Sequence, residues 1–268
     1  LSYVFGKDFK LNRWDSGTST HVALGIVDPS TLSINGRTFK KAGTGSRQLR
    51  VLKLQEKQPR LEFTLGLQRF DYITNYCMIE SEGDVPAHIL DVLLGSNKYR
   101  FSNCKVASCE VTIRPGEMVN ARIEVLAKSF AEGTWTEAMQ SFNEDPVTWR
   151  DVQSVQVASQ AITDWKEIVF RVNNNVESQF LGTSVDPAAV YEKQAEYSGY
   201  IIHAGTGILT DLEEDKTVVI SLQDHQATPV TKTWTFSGCV INVRRLEIEG
   251  LGMVFERIEW EGKSLSYS

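Results

Sequence analysis

The chain has 268 residues, enough for one large domain or two of ordinary size, with 41% apolar and 23% charged residues and a net charge of −6. No stretch approaches the roughly 18 to 20 uninterrupted apolar residues of a membrane helix, and the acidic balance disfavours a surface that grips phosphate. The four cysteines, Cys77, Cys104, Cys109 and Cys239, lack zinc-site spacing and are expected to be reduced and unligated; five apart in an alternating strand, Cys104 and Cys109 should face opposite sides.

In chain order, the opening residues Leu1 to Asp8 lack the basic-then-apolar order of a signal peptide, so no leader is expected. Residues 1–40 carry short apolar patches, Tyr3-Val4-Phe5 and Val22-Ala23-Leu24, among turn formers, and read as an N-terminal arm or an extra strand without a core of its own. A first β-domain is expected over 41–130. Within it Arg60–Leu65 reads as a strand, and Asp84–Gly95 as a short helix, from an acidic cap, Pro86 in the first turn, apolar i/i+3/i+4 spacing and a closing glycine. Val111 and Ile113, then Val119, Ala121, Ile123 and Val125, alternate with Thr112, Asn120, Arg122 and Glu124, and Arg114-Pro115-Gly116-Glu117 supplies a turn. That is a long β-hairpin with one buried face. Residues 131–154 are mostly polar, passing through Asn143-Glu144-Asp145-Pro146, and suit an exposed connection. A second β-domain is expected over 155–268, with strands at Ile168–Val172, Tyr200–His203 and Thr217–Leu222, a helical pattern over Ile208–Glu214, and a second hairpin turning at Glu249-Gly250-Leu251-Gly252. Glu256 falls on the apolar side of that hairpin, against the pattern.

The two hairpins are copies of one another. Residues 101–129 and 236–264 align without a gap at a shift of 135, with Phe101/Phe236, Ser102/Ser237, Cys104/Cys239, Ile113/Ile248, Met118/Met253, Val119/Val254, Arg122/Arg257, Ile123/Ile258, Glu124/Glu259, Lys128/Lys263 and Ser129/Ser264 identical. Those 11 matches in 29 positions compare with about two expected of unrelated segments.

Reactive constellations are not evident. His21, His88, His203 and His225 are scattered with no acidic partner at ligand spacing, and neither a Gly-x-Ser-x-Gly elbow nor a phosphate-binding Gly-Lys-Ser/Thr loop occurs. Gly43-Thr44-Gly45-Ser46 reads as a plain loop and Asp211-Leu212-Glu213-Glu214-Asp215 as a solvated acidic run. The expectation is a protein that is not an enzyme, with no cofactor and no metal. Carboxylates on the hairpins are explained by solvated strand faces. The Arg122/Glu124 pair recurs as Arg257/Glu259, which suits a repeated surface used in assembly better than a catalytic site.

At the Arg114-Pro115-Gly116-Glu117-Met118-Val119-x-Ala121-Arg122-Ile123-Glu124 hairpin, the Trp165–Glu177 strand and the repeated Phe-Ser-x-Cys ahead of each hairpin, the chain resembles the tail tube (major tail) proteins of tailed bacteriophages and related archaeal viruses. The resemblance implies a mainly β fold of two tandem β-sandwich or barrel domains, each with a long hairpin and a short flanking helix. It implies stacked rings whose hairpins join into one inner barrel; with six domain copies per ring, three chains would close one. The polar hairpin side, Glu110, Thr112, Arg122, Glu124, Glu247, Arg257 and Glu259, would face the lumen. The other side, with Ile113, Val119, Ile123, Ile248, Val254 and Ile258, would pack the cores. Implied partners are further copies of the chain, other tail proteins (tape measure, terminator, baseplate) and viral DNA passing without sequence-specific binding. No membrane is involved, and the location is the virion tail, assembled in the host cytoplasm. Two alternatives are a baseplate or tail-tip hub, and a two-domain β-sandwich binding carbohydrate or another surface ligand through Trp135, Trp149, Trp165 or Trp234.

Overall fold

The structure, a computed structural model, describes residues 9–42, 49–80, 83–182, 184–205, 212–248 and 253–268; for 28–42, 49–55 and 243 the description is of the backbone. It is mainly β. The strands are β1 (Phe9–Asp15), β2 (Thr20–Ala23), β3 (Ile26–Ala42), β4 (Leu49–Gly66), β5 (His88–Leu94), β6 (Asn97–Ile113), β7 (Asn120–Glu132), β8 (Val152–Val157), β9 (Gln160–Ala161), β10 (Trp165–Asn173), β11 (Glu177–Gln179), β12 (Ala189–Tyr191), β13 (Glu196–Ala204), β14 (Lys216–Gln223), β15 (Thr231–Ile248), β16 (Val254–Gly262) and β17 (Ser264–Tyr267). Among the described residues the named helical elements are one π-helical turn, Ile73–Cys77, and one 3-10 turn, Trp149–Asp151.

The predicted strands at 60–65, 168–172, 200–203 and 217–222 all fall within β4, β10, β13 and β14, and the first hairpin is β6–β7, closed by Glu117 N–H donating to Arg114 O at 3.1 Å. The predicted helix over 84–95 is overturned: its second half is β5, paired with β1 on one edge and β6 on the other. Leu90 and Val92 are fully buried on one face, while Asp91, equally buried, occupies the other. A strand covered on both faces loses its period of two and reads as a continuous run, which apolar spacing alone cannot tell from a helix. The helix over 208–214 and the second turn over 249–252 lie largely or wholly outside the described residues. Of the N-terminal stretch expected as an arm or an extra strand, residues 9–40 form β1, β2 and most of β3, with Leu11 and Leu24 buried in the common core. The connection 131–154 is exposed at about half of its residues and is held to the sheet: Trp135 is buried, and Val147, fully buried, donates to Leu67 O at 2.7 Å and accepts from Val119 N–H at 2.8 Å.

Both halves of the chain run the same pairing scheme. In the first, β5 pairs β1 and β6, β6 pairs β7, β7 pairs β4 and β4 pairs β3. In the second, β14 pairs β8 and β15, β15 pairs β16 and β17, β16 pairs β13 and β13 pairs β10. Irregularities repeat too. Ladder shifts fall between Val106 and Ser108 in β6 and between Ile241 and Val243 in β15, at the same place in the repeat. The first of these corrects the cysteine argument: the extra residue, Ala107, resets the alternation, so Cys104 and Cys109 are both buried on one side. All four cysteines are buried free thiols.

The repeated Phe-Ser-x-Cys is itself a structural device. Its third residue has a left-handed backbone, Asn103 at φ 49° and Gly238 at φ 61°, and the Cys104 and Cys239 thiols each donate to the preceding Phe carbonyl at 3.3 Å. Asn and Gly are the residues that tolerate this conformation. Substituting Gly238→Val adds a β-branched side chain there, with its Cβ 2.9 Å from the Lys263 stem, and should cost about 1–3 kcal/mol in urea unfolding. Asn103→Gly should be close to neutral, and equal losses at both sites would refute the backbone explanation.

One hydrophobic cluster runs through both halves, from Leu11 to Leu265, because β6 also pairs β10. The two halves are therefore joined edge to edge in one sheet.

Candidate functional site

The seven polar residues singled out from the sequence share one face of the fused sheet, as the ladder requires. Glu110 pairs across to Arg122 and Arg171, and Thr112 to Asn120 and Val169. Val169 pairs to Tyr200, Tyr200 to Glu259, and Arg257 to Ile202 and Arg245; Glu247 lies two residues along β15 from Arg245. Directly opposite residues point to the same side, so the set is co-facial. On this face cations meet carboxylates. Arg122 Nε donates to Glu62 at 2.8 Å, Arg60 lies 3.0 Å from Glu124, and Arg257 Nε donates to Glu259 at 2.7 Å while its guanidinium stacks 3.8 Å over the Tyr200 ring. Burial and the Glu167 carboxylate push the Tyr200 phenol up, so it stays neutral. Exposed pairs of this kind add little to stability, about 0–1 kcal/mol each, but a guanidinium so paired is less free to hold phosphate.

The opposite face packs inward, with one correction. Ile113, Val119, Ile123 and Ile258 are fully buried, and Val254 is half-buried. Ile248, however, is 77% exposed and Leu246 53% exposed, whereas their counterparts Ile113 and Val111 are 0% exposed. The cause is the neighbour. The Ser108–Ile113 edge of β6 is covered by β10, in the register Ile113↔Ile168 through Ser108↔Asn173. The matching edge of β15, Val243–Ile248, has β16 on one side and no ladder partner on the other among the described residues.

Three of the four histidines meet a carboxylate, which separations of 53 to 74 residues hid from sequence reasoning: His21–Asp91, His203–Glu256 and His225–Asp151 at 3.0, 3.2 and 3.0 Å. Glu256, the misfit of the second hairpin, is fully buried, ion-paired to Arg244 and 3.2 Å from His203 Nε2. In the repeat Arg244 and Glu256 replace Cys109 and Ala121, so an apolar patch has become a charged one. His21–Asp91 and His203–Glu256 are buried, while His225–Asp151 lies at the surface, where the Thr148 hydroxyl donates to the same Asp151 oxygen at 2.9 Å. Among the described residues no cluster of three or more His, Cys, Asp or Glu could hold a metal ion, and no helix is long and apolar enough to cross a membrane. Of the tryptophans, Trp135 and Trp234 are buried and Trp149 and Trp165 half-buried against the core, which leaves no aromatic binding platform among them.

His88 is buried without a charge partner. Its Nε2 accepts from the Tyr72 hydroxyl at 3.0 Å and its Nδ1 faces Pro86 O at 3.3 Å. Burial lowers its pKa to about 4. The unfolded chain, with an ordinary histidine near 6.5, then binds more protons between pH 6.5 and 4, so stability is full above that window and falls as pH drops through it, by about 3 kcal/mol. Urea unfolding at pH 7 and pH 4, in the native protein and in His88→Gln, should show a smaller fall in the variant; equal falls would assign the loss to other groups.

No protein-family model matches the sequence, and no significant match is found among curated proteins.

Proposed function

We propose that this chain is a structural subunit of a viral tail tube: two tandem copies of one tube-type β-domain that polymerise as stacked rings of three chains, pseudo-sixfold, to form the channel for genome delivery. The observation that carries this reading is the doubled pairing scheme. Two units of like strand order stand side by side, already joined through β6 and β10, and the second unit presents the same edge without a ladder neighbour among the described residues. A unit that meets its copy on one edge and lacks one on the other is suited to head-to-tail closure, since a repeated heterologous contact closes a ring when the rotation allows. Closure would also remove the exposed edges that make open sheets prone to aggregation.

In this reading the polar face bearing Glu110, Thr112, Arg122, Glu124, Glu247, Arg257 and Glu259 lines the lumen. Arg122 and Arg257 on it are held by glutamates, and with the acidic balance of the chain DNA is repelled or ignored instead of gripped. Other tail proteins would contact the ring ends, and the mature location is the virion. Negative-stain microscopy of the purified protein at rising concentration tests the proposal. Rings of about sixfold appearance, or tubes, are expected; a monomer at every concentration would end it.

A further inference from the structure

The chain contains a template for its own contact with a second copy. In the first half, the β6 edge at Ser108–Ile113 is met by β10, which belongs to the second half. The strand that holds the place of β10 in the first half is β3. The ladders fix this: Phe63 pairs Ile123 and Pro29, and Ile201 pairs Ile258 and Ile168, with Ile123 and Ile258 equivalent in the repeat. Continuing along, Thr31, Leu32, Ser33, Ile34 and Asn35 hold the places of Val169, Phe170, Arg171, Val172 and Asn173. The two sequences match in pattern, with Leu32 and Ile34 standing where Phe170 and Val172 stand and Asn closing both. β3 pairs β4 on one side and has no ladder on the other among the described residues. The open edges of β3 and β15 terminate the run β3-β4-β7-β6-β10-β13-β16-β15 and do not pair with each other among the described residues.

We propose that the Val243–Ile248 edge of β15 takes the β3 edge of a second copy of this chain, antiparallel, in the register that β6 and β10 already show. Shifting the internal register by the repeat places Glu247 opposite Thr31, Leu246 opposite Leu32, Arg245 opposite Ser33, Arg244 opposite Ile34 and Val243 opposite Asn35 of the second copy. The occupant is a second copy because the exposed apolar residues Leu246 and Ile248 are the counterparts of Val111 and Ile113, which this chain buries under a strand of the same kind. Main-chain hydrogen bonds supply the attraction and the alternating side chains the register. The inference rests on the self-association proposed above and adds to it a strand, a direction and a register.

The test is a cysteine pair across the proposed seam, Leu32→Cys with Leu246→Cys in one chain, against a control pair, Ser33→Cys with Leu246→Cys, whose Cβ atoms the register puts on opposite faces. A disulfide requires Cα atoms about 4.4–6.8 Å apart and converging Cβ atoms, which a directly opposite pair offers and the control does not. The native thiols are buried and give little background. After mild oxidation, non-reducing gels and intact mass should show most chains linked as two- and three-chain species in the first variant and unlinked in the control. In parallel, Ile248→Lys, at an exposed position, should weaken association of the full chain at least tenfold by mass photometry with its unfolding temperature unchanged. If the native protein forms rings but the seam pair stays unlinked, or the control links as well, this seam is wrong while the ring reading stands. Links that grow into open ladders without stopping at three support the seam and remove the closed three-chain ring. A native protein that stays monomeric, with no linking, overturns both.

Discussion

Replacing Asp91 by Ala should cost about 3–5 kcal/mol of stability, as expected when a buried charge pair loses one partner. Asp91 is fully buried at the centre of an array that crosses four strands and a loop. Arg100 on β6 grips it with both nitrogens, Nε to Oδ1 at 2.8 Å and Nη2 to Oδ2 at 2.6 Å, and His21 on β2 adds Nε2 to Oδ2 at 3.0 Å. Trp14 and Trp135 close over the histidine edge-on at 5.0 and 5.5 Å, and the Arg100 guanidinium lies 4.9 Å from the Trp14 centroid. Removing the carboxylate leaves His21 sealed from water without its partner and frees an arginine under two indoles. Asp91→Asn keeps the shape and part of the hydrogen bonding, so it should lose less, about 1–3 kcal/mol. Equilibrium urea unfolding of the two variants measures both. A loss below about 1 kcal/mol for Asp91→Ala would mean that water enters and Arg100 swings out, and that the array is not the clamp on β1, β2 and the connecting loop that its geometry describes.

The second large effect is expected at Trp260. Its indole is 1% exposed, meets the Phe236 ring at 4.5 Å and a 47° tilt, and lies across β13 where Gly199 leaves the space. Trp260→Ala removes one of the largest buried side chains and should cost about 3–5 kcal/mol. Gly199 provides an internal control. A Cβ there would sit 2.5 Å from the indole but also 2.4 Å from the main-chain oxygen of Val169. Deleting the indole relieves only the first clash, so Gly199→Ala should remain destabilising in the Trp260→Ala background. Full rescue in the double variant would show that the glycine serves the tryptophan alone.

Much of this architecture was legible in the sequence where a strand has one wet face. Val111 through Val125 alternate cleanly because Arg122 and Glu124 meet solvent while Ala121 and Ile123 are buried. The reading failed where both faces are covered, as in β5, whose buried Asp91 completes what looked like a helical repeat. It failed again where a single inserted residue, Ala107, resets the alternation between Cys104 and Cys109. Local pattern also carries no information on pairs distant in the chain, which is why His21–Asp91 and His203–Glu256 were invisible and Glu256 looked anomalous. Of the candidate surface, the shared face of Glu110, Arg122, Arg257 and Glu259 followed from alternation and the repeat. The open edge beside Leu246 and Ile248 did not, since nothing in one hairpin shows which neighbour it lacks.

The pairing of β6 with β10 has a bearing on how the chain can be made. These strands are separated by more than fifty residues, and neither half completes its sheet alone. During synthesis the first half emerges with Val111 and Ile113 on a strand edge whose partner is not yet made, and long-range pairings of this kind form slowly. Until β10 arrives, that edge is open to any other nascent copy. A fragment ending near residue 130 should therefore aggregate where the full chain stays dispersed, and a chaperone acting on this protein would have its greatest effect in the interval between the two halves.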